Sequence, residues 1–277
     1  MFGALVIVFR EVIEAGLIVG IILAATQKTP GRMPYIFGGV LAGLIGSAFV
    51  AGFAGMLSNA LEGAGQEVFN ASILGLAVIM LTWHNVWMAR HGREMSEELN
   101  RIGGDIRSGS KTLMALAIVV GVAVLREGSE VVLFLYGVLI SSGASGLSVF
   151  TGGVIGLLMG IALSAVTYSG LVIIPVRYLF RVTSLLIAFM AAGMATQAVA
   201  FLEQADLVTK FGRIVWNTSS ILPENSIGGR VLHTLLGYTD QPTQLQLIAY
   251  LGTLAVIFIL MKLLAPPPRQ SRRLVTN

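Results

Sequence analysis

The sequence predicts an all-α integral membrane protein of seven transmembrane helices, built as an inverted 3+3 repeat with one further helix at the C-terminal end. Composition is the first reason. Of 277 residues, 55% are hydrophobic and only 12% are charged, where a soluble domain carries about 25% charged residues; mean hydropathy is +0.84. The second reason is a series of seven apolar windows, each long enough to cross a bilayer. The third is a charged pentad that occurs twice inside such windows, as Arg10-Glu11-Val12-Ile13-Glu14 and as Arg126-Glu127-Gly128-Ser129-Glu130.

The windows lie near 3–25, 35–57, 69–89, 113–141, 147–175, 182–202 and 246–265. Lys28 and Arg32 fall between the first two. The connection 90–111 carries Arg90, Arg93, Arg101, Arg107 and Lys111, and is read as a solvated cytoplasmic loop. Arg177 and Arg181 follow the fifth window, and Arg269, Arg272 and Arg273 follow the last. The alternate connections hold Glu62 and Glu67, or no charge. The positive-inside rule then places the N-terminus outside and the C-terminus in the cytoplasm. The longer loop 204–243, expected outside, mixes both signs. Its Trp216, Pro223, Gly228-Gly229 and His233 are read as a lid or docking surface. The first window has no charged n-region or small-residue cleavage site, so it is read as a retained membrane helix. The whole chain is expected to form one transmembrane domain. Repeat one covers about 1–90, repeat two about 112–203, the external loop about 204–243 and the final helix about 246–265.

The halves match beyond the pentads. Gly38-Gly39-Val40 recurs as Gly152-Gly153-Val154, and Phe69–Met80 loosely resembles Phe180–Met190. The alternating orientation makes the repeats inverted, an architecture in which transporters bind substrate near midplane at the repeat interface. At roughly 1.5 Å rise per residue, both Glu pairs fall a third to half of the way in from the outer face. They are therefore expected to meet as one four-carboxylate site.

Ionisable groups at that depth cost several kcal/mol each unless they face partners or a polar path. On a helix, Glu11 and Glu14 share a face, as do Glu127 and Glu130, and each Arg reaches the second Glu of its pentad. Structural ion pairing would need one Glu per Arg. Two Arg against four Glu leave two formal negative charges in surplus, which suits a multivalent cation. The chain has no Cys, which removes thiolate sites and disulfides. Hard oxygen donors point away from Cu(I). Neither a Ser/His/Asp nor an HExxH pattern is present for an intramembrane enzyme, and the net charge of +4 comes mostly from loops and is not read as a nucleic-acid surface. His84 is read as either a ligand or a hydrogen bond to a neighbouring helix, the latter preferred. Glu62 and Glu67 are candidates for gathering cations at the entrance or for a solvated loop. Glu203, with Gln197 on the same helix, is an accessory candidate. Met80, Met159, Met190 and Met194 are read as packing.

With Arg-Glu-x-x-Glu in the first and the fourth of seven spans, the chain resembles the oxidase-dependent iron permease family, which includes the fungal high-affinity iron permease and bacterial Efe-type and Ftr-type permeases. The resemblance extends to Ala191–Gln197, Phe201–Gln204 and Leu232–Tyr238. It implies that Glu11, Glu14, Glu127 and Glu130 bind iron, Fe2+ or Fe3+, as a transported substrate, with Arg10 and Arg126 in support. It also implies an external iron-binding, cupredoxin-like, oxidase or peroxidase partner, and a multi-pass place in the plasma membrane, here the bacterial inner membrane. The family's usual pentad is Arg-Glu-Gly-Leu-Glu. Val12-Ile13 and Gly128-Ser129 depart from it, and Ser129 is a candidate for an added hydroxyl ligand. The rival readings are a permease for another divalent metal such as lead, and a cation-coupled carrier of an organic substrate.

Overall fold

The computed structural model describes residues 1–60, 65–143, 145–169 and 176–264. Among these the chain forms eight helices: α1 (Phe2–Ala25), α2 (Arg32–Ala60), α3 (Gln66–Arg107), α4 (Met114–Ser142), α5 (Gly146–Tyr168), α6 (Val176–Gln204), α7 (Ile227–Leu236) and α8 (Gln244–Leu263). Five of them hold segments long and apolar enough to cross a membrane, within α2, α3, α5, α6 and α8. At 24 and 29 residues, α1 and α4 have the length, about 36 and 43 Å at 1.5 Å per residue, but each carries one charged pentad. The protein is an all-helical, multi-pass membrane protein.

Small residues decide which helices touch. A Cβ on Gly39 would lie 2.6 Å from the Ala117 carbonyl oxygen, and one on Gly43 would lie 2.8 Å from that of Gly121. The Gly39-Gly43-Ser47 stripe thus lets α2 run parallel to α4 at backbone distance. The stripe Gly152-Gly156-Gly160-Ser164 does the same for α5 on α1: a Cβ on Gly156 would lie 2.6 Å from the Leu5 carbonyl oxygen. The third large pairing is α3 on α6. Gly3, at the start of α1, lies beside Val138, near the end of α4, so α1 and α4 run in opposite directions. Exchanging α1 with α4, α2 with α5 and α3 with α6 maps these pairings onto themselves.

Two features differ from the sequence expectation. The segment 90–111 is not simply a solvated connection, because α3 continues unbroken to Arg107. Leu99 and Ile106 are buried with Ile18, Ile22, Ile36, Leu116 and Val120, and Ile102 packs against them. Spacings of three and four residues put these apolar side chains on one helical face, while Arg101 and Glu98 pair at 2.6 Å on the exposed side. The segment 204–243 contains α7 and is tied down at both ends. Ile214 bridges Thr243, and a Cβ on Gly193 of α6 would lie 2.6 Å from the Gly237 Cα at the end of α7. Gly237 has φ +69, a left-handed conformation that favours glycine.

Candidate metal site between the pentads

Both pentads are helical throughout, and their charged faces point at each other across the α1–α4 contact, where α3 closes the third side. The same pairing recurs in each half. Arg10 Nε lies 2.9 Å from Glu14 Oε1, and Arg126 Nε lies 3.1 Å from Glu130 Oε1. The first Glu of each pentad is held less closely: Arg10 Nη1 to Glu11 is 3.7 Å, and Arg126 Nε to Glu127 is 3.9 Å. Each Arg thereby clamps the second Glu and leaves the first to face the opposite half.

His84 of α3 occupies the centre. Its Nε2 lies 3.2 Å from Glu14 Oε2 and 3.6 Å from Glu11 Oε2, and its Nδ1 contacts Glu130 Oε2. One ligand atom each from Glu11, His84, Glu127 and Glu130 fall within 4.8 Å of one another, and all four residues are buried. Buried atoms here make no hydrogen bond of good geometry: both carboxylate oxygens of Glu11 and of Glu14, Oε2 of Glu127 and of Glu130, and both ring nitrogens of His84. These atoms are held by charge pairing with Arg10, Arg126 and His84, in which four carboxylates share two guanidinium groups and one imidazole. A buried cluster of four carboxylates is costly as a stability device, while its convergent oxygen and nitrogen donors fit a cation.

The profile of the iron permease FTR1 family matches residues 1–266. The chain belongs to this family. Its relatives include the ferrous iron permease EfeU of Yersinia pestis, 31% identical over 98% of this chain and 95% of that protein. The EfeU of Escherichia coli strain 536 is 30% identical over 97% of each chain. No solved structure matches the chain significantly.

In this member of the iron permease FTR1 family the remaining candidates lie apart from the cluster. Ser129 donates to the Leu125 carbonyl of its own helix at 2.7 Å. Glu67 is exposed in the first turn of α3, and Glu62 lies outside the described residues. Glu203 accepts hydrogen bonds from Thr243 Oγ1 and Gln246 Nε2, both at 2.8 Å. Those two residues form the capping box of α8, which makes Glu203 a joint between α6 and α8. Gln197 is half-buried on α6. His84 meets neighbouring helices, as one of its two sequence readings has it, but its neighbours Trp83, which is exposed, and Asn85, which donates to Ser184 O at 3.0 Å, gave no sign of which face of α3 meets the pentads. A cavity of about 750 Å³ opens near the N-terminal end of α1, lined by Ser142, Ser145, Glu224, Arg230 and His233 among others.

Proposed function

We propose that the chain is a high-affinity iron uptake permease of the plasma membrane that passes iron between its two Arg-Glu-x-x-Glu motifs. The observation that carries this reading is the convergence of Glu11, Glu14, Glu127 and Glu130 on one buried cluster. Iron loses water, binds between the two Glu pairs and leaves inward. Arg10 and Arg126 offset part of the negative charge and hold Glu14 and Glu130 in place. Carboxylate oxygens suit Fe3+ well and Fe2+ adequately; the relatives are named ferrous permeases.

Seven helices cross the membrane in this reading, α1 to α6 and α8, with the N-terminus outside and the C-terminus in the cytoplasm. Helices α1–α3 and α4–α6 are inverted repeats that rock against each other, a reading supported by the opposite directions of α1 and α4 and by the exchangeable pairings of the two halves. The cavity beside α7 is then an outer vestibule, a place for an external iron-binding, cupredoxin-like or oxidase/peroxidase partner to release iron.

The test is radiolabelled iron uptake in cells lacking their own high-affinity iron importers, with ferrous and ferric iron supplied separately. Wild type is compared with Glu14→Gln and Glu130→Gln at matched membrane expression. Wild-type uptake that collapses in both variants is the expected result; equal uptake in all three reduces the pentads to structural ion pairs. Competition by other divalent ions, lead among them, separates iron from a different metal.

A further inference from the structure

We infer that His84 is itself an iron ligand, so that the transported ion is held by one imidazole nitrogen together with carboxylates from both pentads, and that this nitrogen sets the preference for ferrous iron. The inference rests on the iron-permease reading above and narrows it to a particular donor set.

The distances suit a shared ion. Bonds of roughly 2.0–2.2 Å to nitrogen and oxygen put opposite ligands of a first-row ion about 4.0–4.4 Å apart. The donor atoms of Glu11, His84, Glu127 and Glu130 lie within 4.8 Å of one another, close to that span, and an ion enters by parting His84 Nδ1 from Glu130 Oε2, which are in contact. Glu14 is placed differently. Arg10 holds its Oε1 at 2.9 Å and its Oε2 faces His84 Nε2 at 3.2 Å. A carboxylate on one ring nitrogen is the usual way a metal-binding imidazole is oriented; Glu14 takes that place at Nε2, and Nδ1, which meets Glu130, is the nitrogen that takes the ion.

His233 shows what a structural histidine looks like in the same chain. Its Nδ1 lies 2.8 Å from the Tyr238 carbonyl oxygen and 3.3 Å from Glu224 Oε1, and its Nε2 lies 3.1 Å from the Ser141 carbonyl oxygen, which ties α7 to α4. His84 is 2% exposed, and its ring meets three carboxylates from two helices: Nε2 faces Glu14 and Glu11, and Nδ1 meets Glu130. His84 thus meets carboxylates of both pentads, where His233 has one carboxylate beside two backbone carbonyls.

The chemical consequence is selectivity. Carboxylates alone suit Mg2+, Ca2+ and Mn2+ as well as iron, whereas imidazole suits iron and the later first-row ions. One nitrogen among oxygens therefore tilts the site toward Fe2+ against the more abundant hard cations. The ligand comes from α3, so binding also ties that helix to both pentad helices.

The test uses the purified full-length protein in detergent with Mn2+ alone as a spin probe, read by electron spin-echo modulation from directly bound 14N. Wild type should show 14N modulation, and His84→Asn should bind Mn2+ without it. The double variant His91→Asn/His233→Asn, which removes the other two histidines, should keep the signal and controls for a His84 variant that fails to fold. In cells, the preference for Fe2+ over Mn2+ should fall about 10- to 100-fold in His84→Asp, the scale on which metal-site changes act. Bound Mn2+ without 14N modulation in wild type, or modulation that survives His84→Asn or disappears in the double variant, overturns the ligand role alone and leaves a carboxylate site. A wild-type protein that binds neither Mn2+ nor Fe2+ overturns the iron-permease site and this inference with it.

Discussion

Arg10 and Arg126 hold the same place in the two pentads, but the Arg10 side chain is 1% exposed while that of Arg126 is 36% exposed. Arg126 lies over the Trp87 ring at 4.5 Å, within cation–π range. Arg10 is enclosed with Glu11 and Glu14 of its own helix. The two halves thus share one ion-pair geometry in different surroundings, and equivalent substitutions have unequal consequences.

Replacing Arg10 by Met leaves Glu11 and Glu14 buried without their counter-charge, an effect of about 3–5 kcal/mol for a broken buried pair. Arg126→Met removes the pair of a less enclosed arginine with Glu130 and a stacking contact of about 0.5–1 kcal/mol. Thermal unfolding of the detergent-solubilised variants checks the order. Arg10→Met should be the less stable, and the reverse ranking contradicts the burial difference.

The α1–α5 and α2–α4 contacts solve one packing problem in opposite ways. On α4 the pentad's third residue is Gly128, where a Cβ would collide with Ser47 of α2. On α1 it is Val12, and the space is made by Gly160 of α5, where a Cβ would lie 2.7 Å from Val12 Cγ1. Gly160→Val should therefore destabilise by about 1–3 kcal/mol through overpacking. Adding Val12→Gly should recover part of the loss, with a coupling above about 0.5 kcal/mol in a double-mutant cycle. Strict additivity of the two unfolding shifts contradicts the contact.

Ser129 and Glu127 are two residues apart on α4 but separate in effect. The Ser129 hydroxyl is bonded to Leu125 O within its own helix, a common alternative partner for serine in helices. Ser129→Ala should leave iron uptake within about twofold of wild type, the scale of substitutions that touch no key group. Glu127→Gln should reduce uptake to background in the same cells. A large loss in Ser129→Ala would place its hydroxyl on the ion's path.

Glu203→Ala removes two of the side-chain hydrogen bonds that hold the start of α8 to α6 and leaves that from Thr196 to the Gln246 carbonyl. The expected loss is about 1–3 kcal/mol, read as an earlier thermal unfolding transition. Uptake per folded molecule, measured against membrane-inserted protein, should be unchanged. A drop in uptake at unchanged stability would return Glu203 to a role in the iron path.

Much of the helical framework was legible because membrane segments announce themselves by continuous hydropathy, and the windows at 35–57, 182–202 and 246–265 correspond to α2, α6 and α8 within a few residues. The pentads were legible because charge inside apolar sequence is conspicuous. The extent of α3 was not, since Arg90, Arg93 and Arg101 read as a polar connection and obscured the sparser Leu99, Ile102 and Ile106 face. Helix α7 was hidden in a loop whose Gly228-Gly229 is a poor helix former; it is fixed by Ser226 at its N-terminus and by the Gly193–Gly237 approach.

By itself the sequence determined the membrane class, the two charged pentads, and the pairing of each Arg with the second Glu of its own helix, because all three depend on spacing along one chain. Only the tertiary structure decided that the pentads meet, that Gly160 makes room for Val12 as Gly128 does for Ser47, and that His84 faces the carboxylates while Trp83 beside it points away. Successive residues on a helix differ by about 100° in direction. Which direction is inward depends on neighbouring helices that lie far off in the chain, and no local pattern around Trp83-His84-Asn85 records it.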